Sequence, residues 1–175
     1  MVLLALTIIC FSALSFHQSR LWKNTITLFS YVVDHHLHER FAQPLGVELI
    51  RRDGKDGAIK AERILRETLA ARGTPRAHAA LAIHLAYYGV YGGAPANYAE
   101  ARRLALEALP GDSSNGCVYA ALAFADRHDG DFKSAYSNMR KALDLHFKSP
   151  FEPLELKDWQ DAAERAAKGA TDVQR

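Results

Sequence analysis

The chain has 175 residues, 49 % of them hydrophobic and 24 % charged, a balance that suits a folded domain and argues against a disordered polar segment. Its formal charge of +2, with no stretch of Lys and Arg gathered into a stripe, argues against a nucleic-acid partner. Two cysteines in unrelated settings, Cys10 in an apolar run and Cys117 at the start of a helical pattern, make neither a disulfide framework nor a metal site.

Residues 2–16 carry no charge and then meet His17, Gln18, Ser19 and Arg20. As a helix this run reaches roughly 22 Å, short of a hydrocarbon core of about 30 Å. Leu21 and Trp22 lengthen the span, because Arg20 can snorkel and Trp22 favours the interface. Residues 1–22 therefore fit a membrane anchor. They also fit a secretory signal, with Ala13 and Ser15 as small residues near a cleavage point, although no Lys or Arg precedes the run. A buried first helix is the third alternative.

Residues 23–39 are expected to connect this segment to the rest through an amphipathic helix carrying Trp22, Ile26, Leu28, Phe29, Val32 and Val33 at helical spacing from Leu21 onward. It ends near the cluster Asp34, His35, His36, His38 and Glu39. His35 and His38, three apart, could share a metal on a continued helix, but no further ligand is signalled, and a helix end explains the cluster better. No metal or other cofactor is expected.

Three helical hairpins follow over residues 40–153. The first pairs Leu45, Gly46 and Leu49 with Ile64, Leu65 and Leu69 across a turn at Asp53, Gly54 and Lys55, and stops at Gly73 and Pro75. The second carries Ala80, Leu81, Ala82 and Leu85. Its turn, read from Tyr87 to Asn97, holds seven more residues than the corresponding part of the third hairpin. The third, with Tyr119, Leu122, Ala123, Gly130, Phe132, Ala135, Ala142 and Leu143, is closed by Pro150 and Pro153. Residues 154–175 place Trp159, Ala162, Ala163 and Ala166 on one face of a terminal capping helix.

Tyr98, Ala101, Ala108 and Leu109 recur 34 residues later as Phe132, Ala135, Ala142 and Leu143. Small residues at contact positions let helices approach closely, and the two rings fill the wedge between hairpins. The expected fold class is all-α, an α-solenoid of about three hairpins with a capping helix, preceded by an N-terminal apolar helix. In that register the inner surface takes Arg40, Gln43, Val47, Ile50 and Arg51 from the first hairpin. Arg76, Ala79, Ile83 and Tyr87 come from the second, and Ala120, Phe124, Arg127 and His128 from the third. Apolar patches mixed with Arg suit an extended peptide bearing acidic groups, since guanidinium pairs with carboxylate bidentately. A solvated concave face is the plainer alternative.

The hairpins over 40–150 resemble the tetratricopeptide family, strongly in the third unit and weakly in the first. The enlarged second turn resembles a longer subclass related to it. The Asn residues with which the chaperone-binding subclass clamps a peptide carboxylate are missing. A second resemblance rests on an apolar helix followed by His17-Gln18-Ser19-Arg20-Leu21-Trp22-Lys23-Asn24, then Thr27-Leu28-Phe29, then Leu45-Gly46. This order is similar to the junction between the last membrane helix and the repeats of multi-pass O-mannosyltransferase-like membrane proteins. The resemblance implies repeats on the periplasmic or lumenal side, whereas Arg20 and Lys23 favour the cytoplasm. Nothing here matches the catalytic acidic residues of such enzymes.

No metalloprotease His pair, nucleophile elbow or phosphate loop occurs. The expected function is a membrane-anchored, single-pass scaffold that binds a protein or peptide partner without catalysis of its own. A detached tail of a glycosyltransferase-like enzyme and a secreted repeat protein are the alternatives.

Overall fold

The computed structural model describes residues 9–12, 14–16, 19, 24–34 and 39–172, and the regular structure among them is all-helical. Most of the expected apolar segment, and His35, His36 and His38 of the histidine cluster, lie outside the described residues. No helix among the described residues is long and apolar enough to cross a membrane.

Helix α1 (Thr25–Asp34) packs on the start of α2 (Ala42–Arg72), where the Phe29 and Phe41 rings meet at 5.2 Å between centroids. The α2 stretch is helical at both ends but reverses at Gly54, whose φ of 55° and ψ of −122° belong to neither helix. Only glycine reaches that conformation without strain. The two arms then lie back to back. A Cβ on Gly57 would collide with the Leu49 carbonyl, so the crossing admits no side chain there. The expected turn at Asp53, Gly54 and Lys55 is thus where the hairpin folds.

Helix α3 spans 75–91: an α-helix over Pro75–Ile83, a π-turn over His84–Tyr88 and a final α-turn over Gly89–Tyr91. Pro75 sits in the first turn, where its missing N–H costs nothing, and Thr74 Oγ1 accepts from the Ala77 N–H. Helix α4 (Tyr98–Ala108) follows a short loop and is capped by Asn97, whose side chain accepts from the Glu100 N–H. Helices α5 (Gly116–His128) and α6 (Phe132–Asp144) form the tightest hairpin, with Asp131 accepting from the Ser134 N–H. The two caps, Asn97 and Asp131, stand one 34-residue period apart, which is why Tyr98 and Phe132 both open a helix.

Neighbours in the chain are neighbours in space. Helix α3 packs on α4 and α5, α4 on α5, α5 on α6, and α6 on the terminal helix α7 (Leu156–Asp172). The seams are built on alanine: Ala61, Ala79, Ala101, Ala105, Ala108, Ala120, Ala123 and Ala142 are fully buried. Leu45, Leu65, Leu81, Ile83, Leu104 and Met139 fill the space between them. Polar ties lock the stack. Arg66 of α2 donates from Nη1 and Nη2 to the two carboxylate oxygens of Glu100 in α4, each at 2.8 Å. Arg102 of α4 donates to Asp126 of α5 and to Asp129 at 2.5 and 2.6 Å, and Asn138 of α6 donates to the other Asp126 oxygen at 2.7 Å.

Helix α6 ends where His146 adopts the left-handed conformation, φ 62°. The Phe147 N–H bonds the Ala142 carbonyl and the His146 N–H bonds that of Leu143, both at 2.9 Å, the pattern of a Schellman stop. Phe147 is buried against Gly116. From there residues 147–155 run without helix to α7. Pro150 and Pro153 enforce this, since each lacks a donor and pushes the residue before it out of the helical region.

Candidate functional site

One face of the stack is shared by three helices: the first arm of α2, then α3, then α5. Gln43, Val47 and Arg51 come from the first, Tyr87, Tyr88 and Tyr91 from the second, Phe124 and Arg127 from the third. The π-turn explains the density of rings on α3. By accommodating an extra residue within the helix it turns the downstream face relative to Ile83, and Tyr87 and Tyr88 both end buried while Tyr91 stays half-exposed.

The rings form a continuous layer. Tyr87 stacks on Phe124 at 4.5 Å and 11°, and meets Tyr88 and Tyr91 at 5.5 and 6.5 Å. The floor is uncharged. Burial pushes the Tyr88 phenol far above its ordinary value, and it raises Tyr87 and the Cys117 thiol as well. Gln43 Nε2 donates to the Tyr88 hydroxyl at 3.4 Å and reaches Cys117 Sγ at 3.5 Å.

This face is covered by the chain itself. Segment 147–155 crosses it as a non-helical strap, bent over residues 150–152. The Phe151 ring stacks on Tyr91 at 4.2 Å and 12° and lies edge-on to Tyr87 and Tyr88 at 6.3 and 5.7 Å. Arg51 donates to the Pro150 carbonyl at 2.5 Å while holding Glu48 at 2.7 Å. The Tyr87 and Ser149 hydroxyls bond at 2.7 Å, and Ser149 Oγ also accepts from the Phe151 and Glu152 N–H groups at 3.2 Å each. Beyond the strap, Trp159 of α7 meets Phe124 edge-on at 5.3 Å, with the Arg127 guanidinium 4.9 Å above its ring. Clefts remain open beside the strap, one of about 370 Å³ bordered by Ile50, Arg51 and Tyr91, another of about 360 Å³ bordered by Gln43, Val47 and Lys148.

Of the residues expected to line a groove, Gln43, Val47, Arg51, Tyr87, Phe124 and Arg127 do share this face. Arg40 borders the cleft of about 360 Å³ beside the strap and also, with Gln43, Arg76 and Asn115, a second cleft of about 520 Å³, so that of the two arginines only Arg76 stands apart from the strap. His128 leaves the face altogether and stacks on Tyr98 at 4.3 Å. Ile83, Ala79 and Ala120 are fully buried in helix seams and cannot line a surface. Ile50 is also nearly buried. Sequence reasoning assigned Ile83 to the groove because it assumed an unbroken 3.6-residue register through α3. It also missed Tyr88, Tyr91, Ser149, Phe151 and Trp159. The signal present for them was the clustering of three tyrosines within five residues, and an aromatic residue bracketed by two prolines.

Among the described residues, no three His, Cys, Asp or Glu side chains gather as a metal site requires. Comparison with protein-family models, with curated proteins and with solved structures gives no match.

Proposed function

We propose that this chain is a scaffold of stacked helical hairpins, of the tetratricopeptide kind, that binds an extended protein segment across its aromatic face and catalyses nothing itself. The observation that carries this reading is the strap, because a non-helical stretch whose residues 149–151 are partly buried already finds ring contacts and hydrogen bonds on two helices, α2 and α3. Open clefts on both sides of it support a site longer than the strap. The 34-residue alignment of the Asn97 and Asp131 caps supports the repeat character.

A membrane tether belongs to the same proposal. Ile9, Phe11 and Leu14 are helical and 63–66 % exposed, and exposed apolar side chains of this kind favour a lipid environment. Alkaline carbonate extraction and amino-terminal sequencing of the mature protein test the tether: a soluble product beginning near Phe16 would reject it. Binding is tested by quantitative co-isolation from the native membrane fraction with the chain and its Arg51→Ala and Arg127→Ala variants. A partner recovered with the parent chain and reduced at least fivefold with the variants, at unchanged melting temperature, supports a groove. An identical protein profile for all three sinks it.

A further inference from the structure

We propose that segment 147–155 is an internal occupant of the groove, and that the partner the groove takes is an extended segment of the same chemistry: a hydroxyl residue, then proline, then an aromatic ring. This rests on the peptide-binding reading and narrows it.

Each feature of the strap answers a separate feature of the face. The Ser149 hydroxyl meets Tyr87, the Pro150 carbonyl meets Arg51, and the Phe151 ring enters the space between Tyr87, Tyr88 and Tyr91. None of these contacts requires the strap to belong to this chain. Lys148, Glu152, Pro153 and Glu155 are exposed, so the contacts come from Ser149, Pro150 and Phe151, with Leu154 packing on the core further along. The strap is also removable. Its ends are fixed independently, by buried Phe147 in the α6 stop and buried Trp159 on α7, so its middle can lift without unstacking a helix. Tethered at both ends, it competes with a free peptide at an effective concentration of the order of millimolar. A matching peptide that binds the open face with a dissociation constant of about 0.1 mM would therefore bind the closed chain at least tenfold more weakly.

The test uses the full chain and a fluorescein-labelled peptide with the sequence of residues 147–155. Anisotropy is followed with the parent chain and with a Ser149→Gly, Pro150→Gly, Phe151→Ala strap variant whose melting and circular dichroism are checked first. The expected result is saturable binding to the strap variant, at least tenfold weaker binding to the parent, and none by a peptide carrying alanine in place of the Phe151 ring. A folded strap variant that fails to bind, or that binds the alanine peptide equally, overturns the proposal. If that variant does not fold, proton NMR on the parent chain decides instead. Unlabelled peptide at millimolar concentration should shift the ring resonances of the chain's own Phe151 as it leaves the Tyr91 stack, and unchanged resonances overturn the proposal. So does a parent chain that sediments as a dimer and becomes monomeric in the Phe151→Ala variant, which assigns the strap to a second copy. Loss of peptide binding alongside Arg51-dependent co-isolation would remove this inference and leave the scaffold reading standing.

Discussion

Lowering the pH from about 7 to about 4.5 should cost this fold about 2 kcal/mol through one side chain, His84. Its ring is 1 % exposed, inside the π-turn of α3, and its Nε2 has no hydrogen-bond partner because the chain at Gly89 packs against it. Burial drives its pKa down from 6.5 to about 4, and the Arg66 charge acts in the same direction, while the Glu62 charge and a hydrogen bond to the Ala58 backbone pull the other way. In the unfolded chain the imidazole takes a proton near pH 6.5, whereas in the folded chain it resists until about pH 4. Between those values the unfolded state holds more protons, so stability is complete above the unfolded pKa and falls as the pH drops toward the folded one. The whole displacement is worth about 3 kcal/mol at 1.36 kcal/mol per unit, of which about 2 appears over the interval named. For a chain of this size that corresponds to a fall in melting temperature of roughly 5–8 °C. The carboxylates with depressed values, Glu100 held by Arg66, Asp53 held by Arg52 and Asp131 held by Ser134, lose their contributions mainly at lower pH, which leaves most of this window to the histidine. Urea unfolding followed by far-ultraviolet circular dichroism at several pH values measures the slope. His84→Leu, which strands the Ala58 carbonyl, should lose about 1 kcal/mol at neutral pH yet flatten the slope. A parent chain with equal midpoints at both ends of the window, or a leucine variant that keeps the parent's slope, would refute the account.

Two backbone positions should respond in opposite directions. Gly54→Ala forces a Cβ onto a conformation reserved for glycine, with no atom within 4 Å to relieve or worsen it, and should lose about 2 kcal/mol in urea unfolding. His146→Gly relaxes the left-handed stop of α6 and should gain about 1 kcal/mol in the same assay. Asp126, 4 % exposed, joins Arg102 and Asn138, so Asp126→Ala leaves Asn138 without this acceptor and Arg102 with Asp129 alone, and should lose about 2 kcal/mol. Ala135→Arg drives a long charged chain into the α5–α6 seam and should abolish the cooperative helical melt at 25 °C. Retained melting for that variant would contradict the packing described for the seam.

Local chemistry made the hairpins legible. Gly54 turns, Gly73 and Pro75 separate two helices, and the paired alanines at 101 and 135 and at 108 and 142 are buried as their spacing implies; the Asn97 and Asp131 caps are just as local but form no part of the sequence reading. Each of these is decided within a few residues of itself. The strap is not of that kind. Pro150 and Pro153 announce only that the chain leaves the helix there, whereas its place over Tyr91 depends on how far α6 runs and where His146 releases it. Read along the chain, the same prolines close the third hairpin; in the folded chain they also deliver Phe151 to the face of the second.

The seven extra residues of the second hairpin carry the remaining lesson. They do not make one long loop between Tyr87 and Asn97. Helix α3 takes up four of them, having 17 residues over 75–91 against 13 in α5, and the connection takes up three, having six residues over 92–97 against three over 129–131. A helix lengthened by one turn keeps its face, but here His84–Tyr88 adopts π geometry, and the register beyond it slips. That slip leaves the His84 ring buried without a partner for Nε2 and brings Tyr87, Tyr88 and Tyr91 together beneath Phe151. The destabilising histidine and the aromatic face therefore share one cause. A change that restored a regular α-helix through 84–88 should raise stability at low pH and, at the same time, weaken the hold of the groove on its strap.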